Sequence, residues 1–278
     1  MNPFEQARTW PVDRHAVAVL SESATSIDGD SGAFELASVA KLFAAVTAMI
    51  AIEEGSLDLD APAGPPGSTV RHLLAHASGV AFDSERSIAA VGARRIYSNV
   101  GIEMYADHLA DSTGMPYAEY LRLGVLEPLG MSHTVLYGSP AHGMRSTIRD
   151  MAALARELRT PSLVGEETSK EARQPVFPEL AGVLPGIGRF DPNPFGLAIE
   201  VKGGKEPHWS GRRTSPETYG HFGGAGTFLW VDPRARVAAV GLTDRPFDSW
   251  AMRVWPPFGD LVVGGARGDG SSGSSVGM

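Results

Sequence analysis

From Lys41 to Glu54 the chain has almost no polar face. Ala44, Ala45, Ala48 and Ala51 are strong helix formers, and Phe43, Val46, Met49 and Ile50 lie between them, which predicts a helix buried nearly all round. Gly55 is placed as its stop. One residue does not suit such a helix. Lys41 stands at its start, and a charged amine needs a reason to be buried there. Ser38 ends an extended, apolar lead-in three residues earlier and falls at the helix tip, on the face of Lys41. A hydroxyl and an amine at this spacing are one way to build an activated nucleophile. The amine accepts the hydroxyl proton, and the helix N-terminus offers a backbone N–H and a positive dipole to the developing charge. An ordinary N-cap serine followed by a solvated lysine has the same spacing, so the pair alone leaves both readings open.

With 278 residues, 43% hydrophobic and 20% charged, the chain is long enough for a proper core in one large domain or two interleaved ones. The net charge of −8 argues against a nucleic-acid backbone or an anionic membrane as partner. There is no cysteine, hence no disulfide, thiol nucleophile or thiolate metal site. The first ten residues lack an apolar signal core, and no window approaches the roughly 18 apolar residues of a membrane span. The expectation is a cytoplasmic protein.

Strands are predicted at His15 to Leu20 and Ala33 to Leu36, with turn residues at Ser26 to Ser31, and again at Phe195 to Val201, Tyr219 to Gly223, Thr227 to Val231 and Arg236 to Leu242. Between these groups the pattern is helical: a short helix over 69–79, then 99–113, 116–126 and 147–159, with an irregular stretch over 160–192. A last amphipathic helix is predicted at about 247–256, and 264–278 reads as a disordered, low-complexity tail. Together these predict an α+β fold: an antiparallel sheet from both chain ends (1–60 and 190–263) with an all-helical subdomain (61–189) inserted.

Two further motifs bear on Ser38 and Lys41. Tyr97-x-Asn99 opens the helix over 99–113. A tyrosine beside a buried lysine can have its pKa lowered and act as a general base, and an asparagine amide can orient the lysine and bond a substrate carbonyl. A core tyrosine followed by an N-cap is the plainer alternative. His221-Phe-Gly223-Gly224 ends a strand with little bulk on one edge, where a substrate can approach the backbone. The Gly224 and Ser38 N–H groups would together make an oxyanion hole; a tight glycine-rich hairpin is the alternative. His72 and His76, at i,i+4 spacing, have no third ligand at useful distance, so no metal is expected.

Ser38-x-x-Lys41, Tyr97-x-Asn99 and His221-x-Gly223, in this order, resemble the three signature elements of the serine β-lactamase and penicillin-binding-protein superfamily. The branch is the class C-like one, which also holds esterases, D-aminopeptidases and DD-peptidases. Leu57 to Pro62, Leu73 to Gly79, Leu126 to Met131 and Gly143 to Met151 resemble its connecting stretches, so the likeness covers about residues 33–245. The resemblance implies two-step acyl transfer to water with no metal or cofactor. Ser38 would be acylated, Lys41 and Tyr97 would manage its proton, Asn99, His221 and Gly223 would hold the substrate, and the Ser38 and Gly224 N–H groups would hold the oxyanion. The family often has Thr or Ser where this chain has Phe222, which cannot donate to a substrate carboxylate. With Trp209, Tyr219 and Trp230 near in sequence, this favours an esterase or amidase on a small apolar substrate; against it, Arg212 or Arg213 could still supply a cation from the preceding loop. β-Lactamase or D-peptidase activity on a β-lactam-like substrate is the alternative, and a retired ligand-binding scaffold a further one.

Overall fold

The largest sheet of the protein joins the two ends of the chain. The structure is a computed structural model that describes residues 1–269. In chain order it has α1 (Pro3–Ala7), β1 (His15–Leu20), β2 (Thr25–Gly29), β3 (Phe34–Glu35), a 3-10 turn (Ala37–Ala40) and α2 (Lys41–Glu53). Then come α3 (Val70–Leu74), α4 (Asn99–Thr113), α5 (Tyr117–Leu121) running into a π turn (Arg122–Leu126), β4 (Val135–Leu136) and β5 (Met144–Ser146). They are followed by α6 (Ile148–Arg159), α7 (Glu166–Ala172), β6 (Gly182–Leu184) and β7 (Gly188–Phe190). The chain closes with β8 (Glu200–Val201), β9 (Tyr219–Gly223), β10 (Thr227–Asp232), β11 (Val237–Thr243) and α8 (Ser249–Asp269).

The large sheet has the order β2-β1-β11-β10-β9-β8 and is antiparallel throughout. Strand alternation divides its side chains between two cores. Ala16, Ala18 and Leu20 of β1, Leu229 and Val231 of β10, and Ala238, Val240 and Leu242 of β11 share one core with α2 and α6. Val17, Phe228, Trp230, Val237 and Ala239 face the other way, onto Trp250, Trp255 and Phe258 of α8. Both faces are covered, which is why β10 and β11 are buried along their whole length. The α+β fold with a sheet from both chain ends is as expected.

The second strand lies elsewhere than the sequence suggests. Residues 26–31 read as a turn, yet Thr25–Gly29 is the edge strand β2, mostly exposed and so without an apolar alternation. The predicted strand at Ala33 to Leu36 shrinks to β3, which pairs with β5 in a separate three-stranded sheet β3-β5-β4. Only Glu200 and Val201 of the predicted strand at Phe195 to Val201 are extended in the sheet, because Ala198 takes a left-handed φ of 54° and Gly196 N–H closes a turn on Ile199 O. The irregular stretch 160–192 contains α7 and the β6–β7 hairpin. The inserted stretch 61–189 is not all-helical as expected: it carries β4, β5, β6 and β7, and its α6 lies against β11, β1 and β10 of the large sheet. Helix α8 runs through Pro256 and Pro257 to Asp269 rather than ending near residue 256, because Phe258, Val262 and Val263 bury against the aromatic core. The predicted tail is thus helical over 264–269, and 270–278 lies outside the described residues.

Candidate active site

Three elements converge at the end of β9. The first is the turn bearing Ser38. Ala37 holds a φ of 45°, an uncommon conformation for a residue with a Cβ, and bends the chain from β3 into the 3-10 turn. Leu36 is pinned on both sides, its N–H donating to Met144 O (2.9 Å) and its carbonyl accepting from Thr227 Oγ1 (2.8 Å). The second is the start of α4, where Ser98 is the N-cap, accepting the Gly101 N–H, and Asn99 is the first helical residue. The approach to α4 is fixed by backbone bonds from Ile96 N–H to His76 O and from Asn99 N–H to Phe82 O, 2.8 and 2.9 Å long. Beneath it the buried Arg95 guanidinium donates to the carbonyls of Ala75, Val176, Phe177 and Asn193.

The third is β9 itself. Edge strand β8 pairs only with Tyr219 and Gly220, leaving the edge from His221 onward uncovered. Gly223 lies flush against the Ser38 turn: a Cβ there would come within 2.3 Å of Leu36 O and 3.2 Å of Ser38 N, so only glycine fits. A Cβ on Gly224 would meet nothing within 4 Å. Neither the Ser38 nor the Gly224 N–H donates to a backbone acceptor among the described residues.

Lys41 is completely buried, and its Nζ reaches Ser38 Oγ (3.3 Å), Asn99 Oδ1 (2.6 Å) and Ala141 O (2.9 Å). Burial lowers the Lys41 pKa from 10.5 to about 7, against the pull of the Glu103 carboxylate, which favours the charged form. The amine also lies over the Tyr97 ring, 4.7 Å from its centroid. His221 Nδ1 is 2.7 Å from Phe222 O, and a carbonyl only accepts, so Nδ1 carries the proton. Nε2 is therefore the acceptor for the Tyr97 hydroxyl, 3.2 Å away. Burial and the nearby Lys41 charge bring the His221 pKa down to about 4.

Tyr97 corrects an expectation. Its pKa is raised, not lowered: burial of the phenol outweighs the hydrogen bond offered by Ser38. At neutral pH the phenol therefore keeps its proton.

A cavity of about 220 Å³ opens over Ser38, with Tyr97, His221, Phe222, Gly224 and Phe247 in its wall. Its apolar side is not the one the sequence suggested. Trp209 stands behind Phe222, 5.6 Å between ring centroids, Trp230 is in the core, and the Tyr219 hydroxyl bonds Leu158 O. Arg212 and Arg213 do not line it either; Arg212 lies 3.8 Å from Glu206, and the Arg213 N–H donates to Asp260 on α8. Phe222 instead packs on Phe247, 4.7 Å between centroids.

The structure brings Ser38, Lys41, Tyr97, Asn99, His221, Gly223 and Gly224 together, and adds residues the motifs did not mark. Ala141 contributes only a carbonyl, which has no sequence signature. Glu103 stands one helical turn after Asn99, a spacing that could have flagged it. His76 turns inward and packs on Tyr97, 4.6 Å between ring centroids, whereas His72 bonds Thr69 and stacks on Phe177. Among the described residues no cluster of three or more His, Cys, Asp or Glu could hold a metal ion. No helix among them is long and apolar enough to cross a membrane.

This fold and site are those of a hydrolase family, and the family comparison names it. The Beta-lactamase family model matches residues 29–263, and the chain belongs to that family. A crystal structure of a beta-lactamase from Mycobacterium bovis is 44% identical, with a TM-score of 0.93 over 95% of this chain and 99% of the other. A hydrolase described as having promiscuous acyltransferase activity shares the fold at 18% identity, with a TM-score of 0.77 over 94% and 96% of the two chains. A protein of Escherichia coli (strain K12) named "Putative D-alanyl-D-alanine carboxypeptidase" is 25% identical over 204 residues, 56% of this chain and 46% of that relative. The match thus spans less than half the length of that curated relative.

Proposed function

We propose that the protein is a serine hydrolase of the class C-like branch that acts by two-step acyl transfer, most suited to a small ester or amide with apolar groups. The observation that carries this reading is the buried Lys41 amine, 3.3 Å from Ser38 Oγ with its pKa brought to about 7. In the first step Lys41 takes the Ser38 proton while Oγ bonds to the substrate carbonyl carbon. The bond to the leaving alcohol or amine then breaks, and the leaving atom receives that proton. Water repeats the sequence on the acyl-enzyme, releasing the acid and restoring Ser38. The Ser38 and Gly224 N–H groups stabilise the oxyanion in both steps. Tyr97, whose hydroxyl donates to neutral His221, stays protonated and positions Ser38, while Asn99 holds the Lys41 amine and the substrate carbonyl. No cofactor is required.

The 44% identity to a named beta-lactamase favours a second reading, hydrolysis of a β-lactam or a D-peptide. Phe222 weighs against it: the family often carries a hydroxyl residue at this position, and the phenyl ring that lines the cavity instead cannot donate to a substrate carboxylate. The test is to incubate the protein with a fluorophosphonate, a p-nitrophenyl ester and a fluorescent penicillin, and to locate adducts by mass spectrometry. Fast ester turnover with a fluorophosphonate adduct on Ser38 and no lasting penicillin adduct is expected. Turnover of penicillin, or a stable penicillin adduct as a D-peptidase would form, would shift the assignment to the second reading, and absence of any adduct would sink catalysis. Ser38→Ala should lower ester turnover by several orders of magnitude.

A further inference from the structure

Beyond Tyr97 the cavity over Ser38 meets a larger one of about 460 Å³. The two share Phe82, Tyr97 and Pro185 in their walls, so they adjoin one another beside Ser38. Phe82, Ile88 and Val183, which are 46%, 40% and 56% exposed, all line this groove. Single exposed apolar side chains need no explanation, but three gathered beside a nucleophile mark a binding surface. The walls are preformed by backbone. Arg95 N–H donates to Ala181 O at 2.8 Å, and a Cβ on Gly182 would fall 2.5 Å from the Arg95 Cβ, so the β6–β7 hairpin lies flush against the start of the Tyr97 segment.

The groove's charge is the opposite of the chain's. Its lining holds Arg94, Arg95 and Arg189 and no carboxylate, in a protein of net charge −8. Arg95 is spent on backbone carbonyls. Arg94 and Arg189 are exposed, and neither forms an ion pair among the described residues; Arg94 makes one long bond, 3.4 Å, to Ile88 O. An apolar trough with two unpaired guanidinium groups matches an apolar chain with an anionic end.

We propose that this groove receives the leaving alcohol or amine of the substrate, and that it selects one whose apolar chain ends in a carboxylate held by Arg94 and Arg189. The proposal rests on Ser38 being the nucleophile. The leaving atom must take its proton beside Lys41 and Tyr97, and Tyr97 is one of the three walls common to both cavities, so a departing group beside it faces the groove.

Binding to Ser38→Ala, measured by calorimetry at low ionic strength, tests this without turnover. The probes are the butanoate esters of 6-hydroxyhexanoate, 1-hexanol and 6-amino-1-hexanol. The carboxylate-bearing ester should bind about tenfold more tightly than the ammonium-bearing one, with the neutral ester between, as two exposed ion pairs would give. Adding R94Q and R189Q should bring that ratio close to one, with an unchanged unfolding midpoint showing an intact fold. Equal affinities, no binding of any ester, or a ratio unmoved by the two replacements would overturn the proposal. Fluorophosphonate labelling of the wild type reports on the nucleophile separately. Labelling of Ser38 without charge discrimination rejects the groove assignment alone, whereas discrimination without labelling keeps the groove's ligand class and rejects acyl transfer.

Discussion

The burial of Lys41 can be measured without any substrate. Its pKa falls from 10.5 to about 7 in the folded protein. At about 1.4 kcal/mol per unit, holding the protonated amine in the folded state costs about 5 kcal/mol. The folded pKa lies below the unfolded one, so between pH 7 and 10.5 the unfolded chain binds the extra proton and stability rises with pH. Below about pH 7 both states are protonated and the full cost is present; above 10.5 it is gone. Lys41→Met keeps a long side chain and removes this slope. Between pH 7.5 and 9.0 the stability of wild type relative to Lys41→Met should therefore increase by about 2 kcal/mol. Urea unfolding followed by tryptophan fluorescence at the two pH values reads it directly, and groups that titrate alike in both proteins cancel in the difference. A difference constant within about 0.5 kcal/mol would refute the depressed amine. The same titration governs catalysis in the proposed mechanism: kcat/KM for a p-nitrophenyl ester should rise through about pH 7 and level off, because the neutral amine is the base. A limb near pH 10 would contradict it.

Tyr97→Phe should reduce kcat/KM about 100-fold while leaving the limb near pH 7 in place; a displaced limb in a pH–rate profile would return the base role to the phenol. Glu103→Gln removes the carboxylate that supports the charged form of Lys41, so the same profile should move to lower pH, and an upward move would contradict the pairing. Gly223→Ala should cost about 1–3 kcal/mol in stability and most of the activity, because its Cβ is driven into Leu36 O, whereas Gly224→Ala should unfold within about 0.5 kcal/mol of wild type. Equal midpoints for the two glycine variants in thermal melts would refute the close approach of β9 to the Ser38 turn.

Where side chains themselves encode the structure, the sequence was readable. Helix α4 spans Asn99–Thr113, as predicted, because the Ser98 cap and the left-handed Gly114 mark both ends. The buried face of β1 and the whole of α2 declare themselves by apolar content. Strand β2 does not, since Thr25 to Gly29 is an exposed edge whose partner supplies the order. The three site motifs were likewise visible as residue types. Their protonation was not: the direction of the Tyr97 shift depends on desolvation, which spacing does not carry, and the motif alone suggested the opposite. The Ala141 carbonyl on Lys41 and the Phe247 ring on Phe222 come from distant stretches with no pattern linking them to Ser38. Arg212 and Arg213 misled because nearness along the chain to β9 is not nearness to its free edge.

Three nitrogen bases, Lys41, His76 and His221, are buried around one phenol, and each charge among them opposes the others. Burial lowers the pKa of both imidazoles, and the Lys41 charge lowers it further. Both rings are therefore neutral at physiological pH, and His221 is left with one acceptor nitrogen, which the Tyr97 hydroxyl occupies. The phenol keeps its proton for the same reason, since ionising it would place an anion in a dry site. Only the amine is left able to change charge near neutrality, and it is the group within 3.3 Å of Ser38 Oγ. The histidine in the third motif thus bears on Ser38 at one remove, through Tyr97. In the proposed mechanism, taking the phenol's proton as a hydrogen bond leaves the Tyr97 oxygen to accept from Ser38, without adding a second positive charge that would depress the Lys41 amine further.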